Sequence, residues 1–462
     1  MLARRVVPTN LSRLAVPVAL VLAALWLLAS REPTYDPWAW LLWGRQIGHG
    51  TLDTVAGPSW KPLPVVFTTP FSWLGDDAAP LLWLTVARAG FLLAIYYAYR
   101  LAAEIAGAVA GVLAGVGVAL IDSYASLSAR GNSEGLLVAF CLAAVQRHRA
   151  GRTGQALALA FLAALLRPEI WPFFGVYALW WAWFGGEATE RVRRAVIVVL
   201  AGVAVLALWF VPEKIGSGSL LRGASRAREP VAGSPGQAAH PVVATFSNAA
   251  GAVDPVFYAG GVAAVLIALI WWRRGRRDAD TATVLMLAGA ATAYMVIVAI
   301  LAQAGFTGNE RYVSLPASLV CVLGGVGIVQ LVRLAPARFG AARWPAILAG
   351  LVVVGLTITP ALSLKDDARA SVSQGHLYDH LDTIIDRAGG RAAILRCAPV
   401  YTGPYETQLI AYKLHLHDDQ VSIDPRPPGT VLAVIGTEQS HDARFPIREI
   451  HGGWVLRTTC PG

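Results

Sequence analysis

Charge is what this chain has least of. Asp, Glu, Lys and Arg make up 15% of its 462 residues, where soluble globular chains carry roughly 25%. With 56% hydrophobic residues and a mean hydropathy of +0.54, that scarcity excludes an ordinary soluble domain. Cysteine is also sparse: the four Cys form no CxxC and no His/Cys cluster, so a zinc site of the usual spacing is excluded. Charge is scarcer still inside the apolar runs, where Arg88 is the exception and Glu104 lies near a run's end. No internal inverted repeat is visible. A transporter or flippase needs polar or broken helices at the bilayer midplane, and these absences weigh against it.

Long apolar runs are what the chain does have. They recur over residues 1–364 at lengths that cross a bilayer as helices. About eleven spans are expected, at 14–30, 80–99, 104–121, 133–146, 154–167, 170–184, 195–212, 256–272, 282–303, 312–332 and 345–364. The first is preceded by Arg4, Arg5 and Arg13 and shows no small-x-small cleavage site before Arg31, so it reads as an uncleaved span. The arginines alternate by loop: Arg100, then Arg147, Arg149 and Arg152, then Arg191, Arg193 and Arg194, then Arg273 to Arg277, then Arg333, Arg338 and Arg343. By the positive-inside rule these face the cytoplasm, which places the N-terminus inside and the tail outside. The net charge of +9 is therefore topological, and no nucleic-acid partner is implied. Frequent Ala, Arg, Gly and Val suggest a bacterial plasma membrane protein.

The outward face collects the remaining polar groups. In the first outer loop, 31–79, Tyr35-Asp36-Pro37-Trp38 is followed by Trp60-Lys61-Pro62-Leu63-Pro64, and the apolar spacing over Trp38–Ile47 predicts a helix lying in the interface. Arg130 and Glu134 belong to the next outer loop, Arg167 and Glu169 to a turn too short to leave membrane depth, and Glu310, Arg311 and Tyr312 to the start of a late span. Loop 213–255 is rich in Gly, Ser, Ala and Pro and reads as a mobile lid. Charges at membrane depth are costly unless solvated, paired or used. Cations there suit a phosphate headgroup, and a carboxylate can deprotonate a hydroxyl. Each residue also has a plainer reading: a helix end for Asp36, a snorkelling anchor for Lys61, a mutual pair for Arg167 and Glu169, an interface anchor for Arg311 and Tyr312.

The order of these motifs resembles the GT-C glycosyltransferases, and within them the branch of protein O-mannosyltransferases and lipid A aminoarabinose transferases. Tyr35-Asp36 stands where that branch opens its first outer loop, Lys61-Pro62-Leu63-Pro64 where it has Lys-Pro-Pro-Leu, and Arg311-Tyr312-Val313-Ser314-Leu315-Pro316 where Arg-Tyr and Leu-Pro begin a late span. The resemblance implies a donor made of a sugar on a polyprenyl phosphate, Asp36 as the general base, and Lys61, Arg311 and Tyr312 at the donor phosphate. It leaves Tyr35, Arg130, Glu134, Arg167, Glu169 and Glu310 as further substrate-binding candidates. The sugar implied is mannose or a pentose such as arabinose, and the acceptor a glycan, glycolipid or protein of the cell envelope. Many relatives pair two acidic residues at the first motif, whereas Asp36 is followed by Pro37. One carboxylate favours metal-independent transfer without excluding a divalent ion, and no other cofactor is implied.

The tail, 365–462, reads as a small extracytoplasmic α/β domain behind the helical bundle. Helices are expected at His376–Arg387 and Tyr405–Leu416, and strands at Ala392–Cys397, Thr430–Ile435 and Trp454–Thr459. Outside the cell, Cys397 and Cys460 can close a disulfide loop of about 60 residues worth ~2–4 kcal/mol; the alternative is two free thiols.

Overall fold

A computed structural model of the chain describes residues 9–229, 233–334 and 372–460. It is a helical membrane bundle with a small sheet domain at its C-terminal end. The bundle runs α1 (Thr9–Trp26), α2 (Tyr35–His49), α3 (Pro62–Ser72), α4 (Ala78–Ala106), α5 (Ala108–Ala119), α6 (Tyr124–Ala129), α7 (Glu134–Arg149), α8 (Thr153–Ala164), α9 (Trp171–Phe184), α10 (Arg191–Ser217), α11 (Arg222–Ala227), α12 (Pro241–Gly251), α13 (Pro255–Arg273), α14 (Ala279–Gln303) and α15 (Glu310–Leu334). Among the described residues, five helices are long and apolar enough to cross a membrane: α4, α10 with the turn before it, α13, α14 and α15. The other expected spans up to residue 184 are shorter helices, and the span expected at 345–364 lies outside the described residues.

Small residues bring the helices to the site. On α15, a Cβ at Gly324 would meet the Phe257 backbone at 2.7 Å, and one at Gly327 would strike the Gly260 carbonyl. Backbone contact of this kind locks α13 against α15, since without a hydrophobic drive between membrane helices close packing must hold them. Gly90 and Gly135 do the same for α4 and α7, each Cβ position lying 2.6 Å from a backbone nitrogen of the other helix. Arg88, the mid-span exception, is fully buried in α4. It donates to the carbonyls of Ala129 (2.8 Å) and Ser30 (2.9 Å), while Trp83 Nε1 donates to Gly131 at 2.9 Å. Its charge is spent on holding two loops, not on a path through the bilayer.

The structure differs from the sequence reading in three places. The helix expected at 38–47 forms as α2, but Pro37 through Gln46 are all buried in protein, so it is a core element. Segment 213–255 holds the end of α10, then α11 and α12. Arg222 of α11 donates to the carbonyls of Val55, Ala56, Gly57 and Pro58 and ties the segment to the first loop. The strand expected at 392–397 is a short helix, α17 (Arg391–Leu395), entered from Gly390 at φ 80°. Ala-Ala-Ile-Leu suits either state, and the paired glycines Gly389 and Gly390 restart the chain as helix.

The tail helix α16 covers 372–387, and α18 is Thr407–Leu414. Strands β1 (Val400–Tyr401), β2 (Val421–Ser422), β3 (Thr430–Val434), β4 (Ile447–His451) and β5 (Trp454–Thr458) form one sheet ordered β2-β1-β3-β5-β4. β1 is parallel to β2 and β3, and β5 pairs antiparallel with β3 and β4; α18 makes the crossover that the parallel pair β1 and β2 requires. Cys397 and Cys460 form a disulfide that closes this domain. The domain sits on α2: Trp38 and Tyr412 pack at 5.1 Å, Arg45 donates to the Tyr412 carbonyl at 2.9 Å, and His415 meets Asp76 at 2.6 Å.

Candidate active site

Local structure aims the charged residues at one point. Thr34, just before α2, donates its N–H to the Arg130 carbonyl (3.0 Å) and accepts from Asn132 Nδ2 at 3.1 Å. This clamp sets Asp36, in the first turn of α2, beside Glu134 at the start of α7. Lys61 caps α3, with Pro62 pre-setting the first helical position; Leu63 N–H bonds the Leu165 carbonyl at 3.3 Å, which draws Lys61 toward Arg167. Arg311 lies in the first turn of α15, its N–H held by Asn309 Oδ1 at 3.2 Å.

Glu134 is the centre. It is 1% exposed, and one oxygen, Oε1, meets three cations: Arg167 Nη2 at 2.8 Å, Arg311 Nε at 3.3 Å and Lys61 Nζ at 3.6 Å. Its other oxygen, Oε2, has no hydrogen-bond partner among the described residues. Arg311 turns its remaining face to Asp36, with Nη2 2.5 Å from Oδ2. Arg167 also reaches Glu169 at 3.9 Å and lies 4.2 Å from the Tyr312 ring. Lys61 donates to Ser133 Oγ at 3.4 Å and sits 5.1 Å from the Trp40 ring. Three carboxylates, Asp36, Glu134 and Glu169, thus offset three cations, and the site is close to neutral.

The titration of these groups follows from that crowding. Burial pushes the Asp36 carboxyl up, but Arg311 and Lys61 outweigh it and hold it below the ordinary carboxylate value. Burial and the neighbouring Arg311 and Arg167 bring Lys61 down to about 8, against the opposing pull of Glu134 and Asp36. Lys61 is therefore a cation at neutral pH that gives up its proton just above it. Burial disfavours the charge on Arg167, yet Glu134 and Glu169 more than restore it.

Of the residues expected from sequence, the structure gathers Asp36, Lys61, Glu134, Arg167, Glu169, Arg311 and Tyr312. Three fall elsewhere. Glu310 is exposed at the tip of α15, and Arg130 is half-buried with its charge felt by Tyr378 of the tail. Tyr35 turns away from Asp36 into a separate cleft of about 500 Å³, which Arg222, Arg226, Gln408 and Asp418 also line. Sequence reasoning had no role for Gln408 or Asp418. With its amide turned to donate, Gln408 gives its NH₂ to the Asp418 carboxylate. Burial and nearby Asp53 push that carboxyl up to about 7, with Arg222 opposing. Among the described residues, no three His, Cys, Asp or Glu side chains are grouped to hold a metal ion.

No family model matches the sequence, and no curated protein is detectably similar to it. Solved structures are. ArnT from Cupriavidus metallidurans, in the apo state, superposes with a TM-score of 0.56 over 97% of this chain and 98% of its own, at 14% identity. The chain has the GT-C fold. The same ArnT bound to undecaprenyl phosphate gives a TM-score of 0.51 over the same shares at 14% identity. The archaeal oligosaccharyltransferase AglB from Archaeoglobus fulgidus, in complex with an inhibitory peptide and a dolichol-phosphate, gives 0.50 over 92% of this chain and 70% of its own, at 13% identity. At these identities the likeness speaks for the fold; the chemistry rests on the side chains above.

Proposed function

We propose that this GT-C chain transfers a sugar, mannose or a pentose such as arabinose, from a polyprenyl monophosphate to a hydroxyl of an extracytoplasmic glycan, glycolipid or protein of the cell envelope. One observation carries the reading: Lys61, Arg167 and Arg311 gather with the carboxylates of Asp36, Glu134 and Glu169 at the end of membrane-length α15, the depth at which a lipid-linked phosphate presents its headgroup. The solved neighbours with undecaprenyl phosphate and dolichol-phosphate support a donor of that class.

In this mechanism the donor phosphate takes Arg311 away from Asp36 and adds Lys61 as a second contact. Released from its ion pair, Asp36 becomes the stronger base. It removes the proton of the acceptor hydroxyl as that oxygen bonds to the anomeric carbon. The bond from that carbon to the phosphate oxygen breaks, and polyprenyl phosphate leaves with the electron pair. One displacement inverts the anomeric centre. The charge bookkeeping is even: Asp36 loses one negative charge as the phosphate gains one, so the site moves charge toward its cations without acquiring any. Lys61, Arg167 and Arg311 do the neutralising that a divalent ion would otherwise do. The cleft beside Tyr35, on the other side of the α2 N-terminus, gives the acceptor an approach from the tail.

The test is transfer by purified protein in nanodiscs from a panel of radiolabelled polyprenyl-phosphate sugars, with envelope glycans and glycolipids as acceptors, with and without chelator. Chelator-resistant transfer from one donor, with inverted product, supports the reading. Binding of no donor across the panel by folded protein overturns it.

A further inference from the structure

The other end of α15 holds a second cavity. Gln330 lies 19 residues beyond Arg311 on this helix, about 28 Å along its axis at 1.5 Å per residue. The cavity there measures about 190 Å³ and is lined by Trp271, Arg276, Gln330 and Arg333, with hydrocarbon from Ala268 and Val284 between them. It is a bilayer's thickness from the Asp36 cluster and shares no residue with it.

Gln330 makes this more than a gap between helices. The residue is 9% exposed, and its Oε1 has no hydrogen-bond partner among the described residues. A buried amide oxygen left unsatisfied is costly and uncommon, and suits a ligand that brings a donor. The charges around it do not cancel. Arg276 pairs with Asp278 at 2.6 Å and lies 4.1 Å from the Trp271 ring. Asp280, which also lines the cavity, is taken by Arg149 at 2.6 Å. Arg333 donates to the Ala106 carbonyl at 2.7 Å, and no carboxylate among the described residues pairs with it. Of the residues that line the cavity, two arginines face one aspartate, leaving one positive charge beside an amide acceptor.

We propose that this cavity binds the headgroup of an anionic phospholipid that carries a free hydroxyl, of the phosphatidylglycerol kind. Its phosphate sits between Arg333 and Arg276, and its hydroxyl donates to Gln330 Oε1. Basic pockets between membrane helices suit anionic headgroups. The hydrocarbon walls favour a lipid over free phosphate, and Leu331 and Leu334, each at least half exposed, offer acyl chains a path along α15. The site stands independently of the transfer reaction at the opposite end.

The test is lipid retention, read by native mass spectrometry on the full-length protein released from nanodiscs of phosphatidylcholine doped with phosphatidylglycerol. Phosphatidic acid, which lacks the hydroxyl, and excess inorganic phosphate form the comparison arms. Wild type retains one phosphatidylglycerol in preference to phosphatidylcholine, and inorganic phosphate does not displace it. Arg333→Gln and Arg276→Gln each weaken that retention about five-fold. Gln330→Leu, which keeps size and charge, weakens phosphatidylglycerol and leaves phosphatidic acid unchanged. Equal retention in wild type and Gln330→Leu, no preference over phosphatidylcholine, or displacement by inorganic phosphate overturns the proposal.

Discussion

At one end of the bundle Glu134 is sealed from water, and three cations crowd onto one of its oxygens while the other goes unused. At the other end Glu104 and Asp280 keep side chains about 30% exposed. There the bonds are shared out: Arg149 divides its guanidinium among Asp280, Thr283 and the Ala279 carbonyl, and Glu104 accepts from Gln146 at 2.8 Å and Arg100 at 3.3 Å. Residue types and helix-end positions are alike. The second network braces α4, α7 and α14 with charge that water helps to stabilise. The first concentrates charge on one carboxylate sealed from water where α2, α7 and α15 meet. Paired cations crowded beside an idle carboxylate oxygen are the mark of a site awaiting a ligand.

Substitutions that separate the two networks test that contrast. The largest effect is expected at Asp36. Asp36→Asn removes the proton acceptor and lowers the transfer rate by about 10²–10⁴-fold, whereas Asp280→Asn leaves it unchanged; single-turnover rates measure both. The next concerns stability. Glu134→Ala leaves Lys61 without its ion pair, takes one carboxylate from Arg167 and Arg311, and costs about 3–5 kcal/mol, while Asp280→Ala, at a wetter pair, costs about 0.2–1 kcal/mol. Unfolding in denaturant tells them apart, and equal losses would mean that the two ends do the same work.

The smallest effect is a pH profile. Lys61 must be protonated to meet the phosphate, and its depressed value of about 8 places the loss on the alkaline side. kcat/KM for the donor, which reports the free enzyme, falls about tenfold per unit above that pH. Lys61→Arg, which stays charged, removes this limb. The acidic limb lies low, because Asp36 is held below the ordinary carboxylate value and stays ionised until the pH falls through it.

Much of this arrangement was legible in the sequence, and the missing parts have physical reasons. Asp36, Lys61 and Arg311 could be found because a charge beside a membrane-length apolar run stands out at once. Glu134 and Arg167 showed as candidates, but the three-cation focus on a single oxygen arises from packing at Gly90, Gly135, Gly324 and Gly327 that no local pattern announces. Tyr35 stands apart from the cluster because one residue step at the start of α2 turns its side chain into the neighbouring cleft. The cleft was hidden because Gln408 and Asp418 lie more than 370 residues further along. Period and composition located the membrane helices α4, α10, α13, α14 and α15, yet missed that α2 is enclosed: an aromatic helix reads alike whether lipid or protein covers it. The 392–397 error came from a short apolar run in which helix and strand patterns coincide.

The most direct test of the account is a paired measurement on Asp36→Asn loaded with the radiolabelled polyprenyl-phosphate sugar that wild type turns over. Donor affinity at least equal to wild type, with transfer lost, is the predicted result, since the phosphate is held by Lys61 and Arg311, no ion pair to Arg311 has to be broken, and the proton is taken by Asp36 alone. Transfer at the wild-type rate by folded Asp36→Asn would contradict it and remove Asp36 from the chemistry.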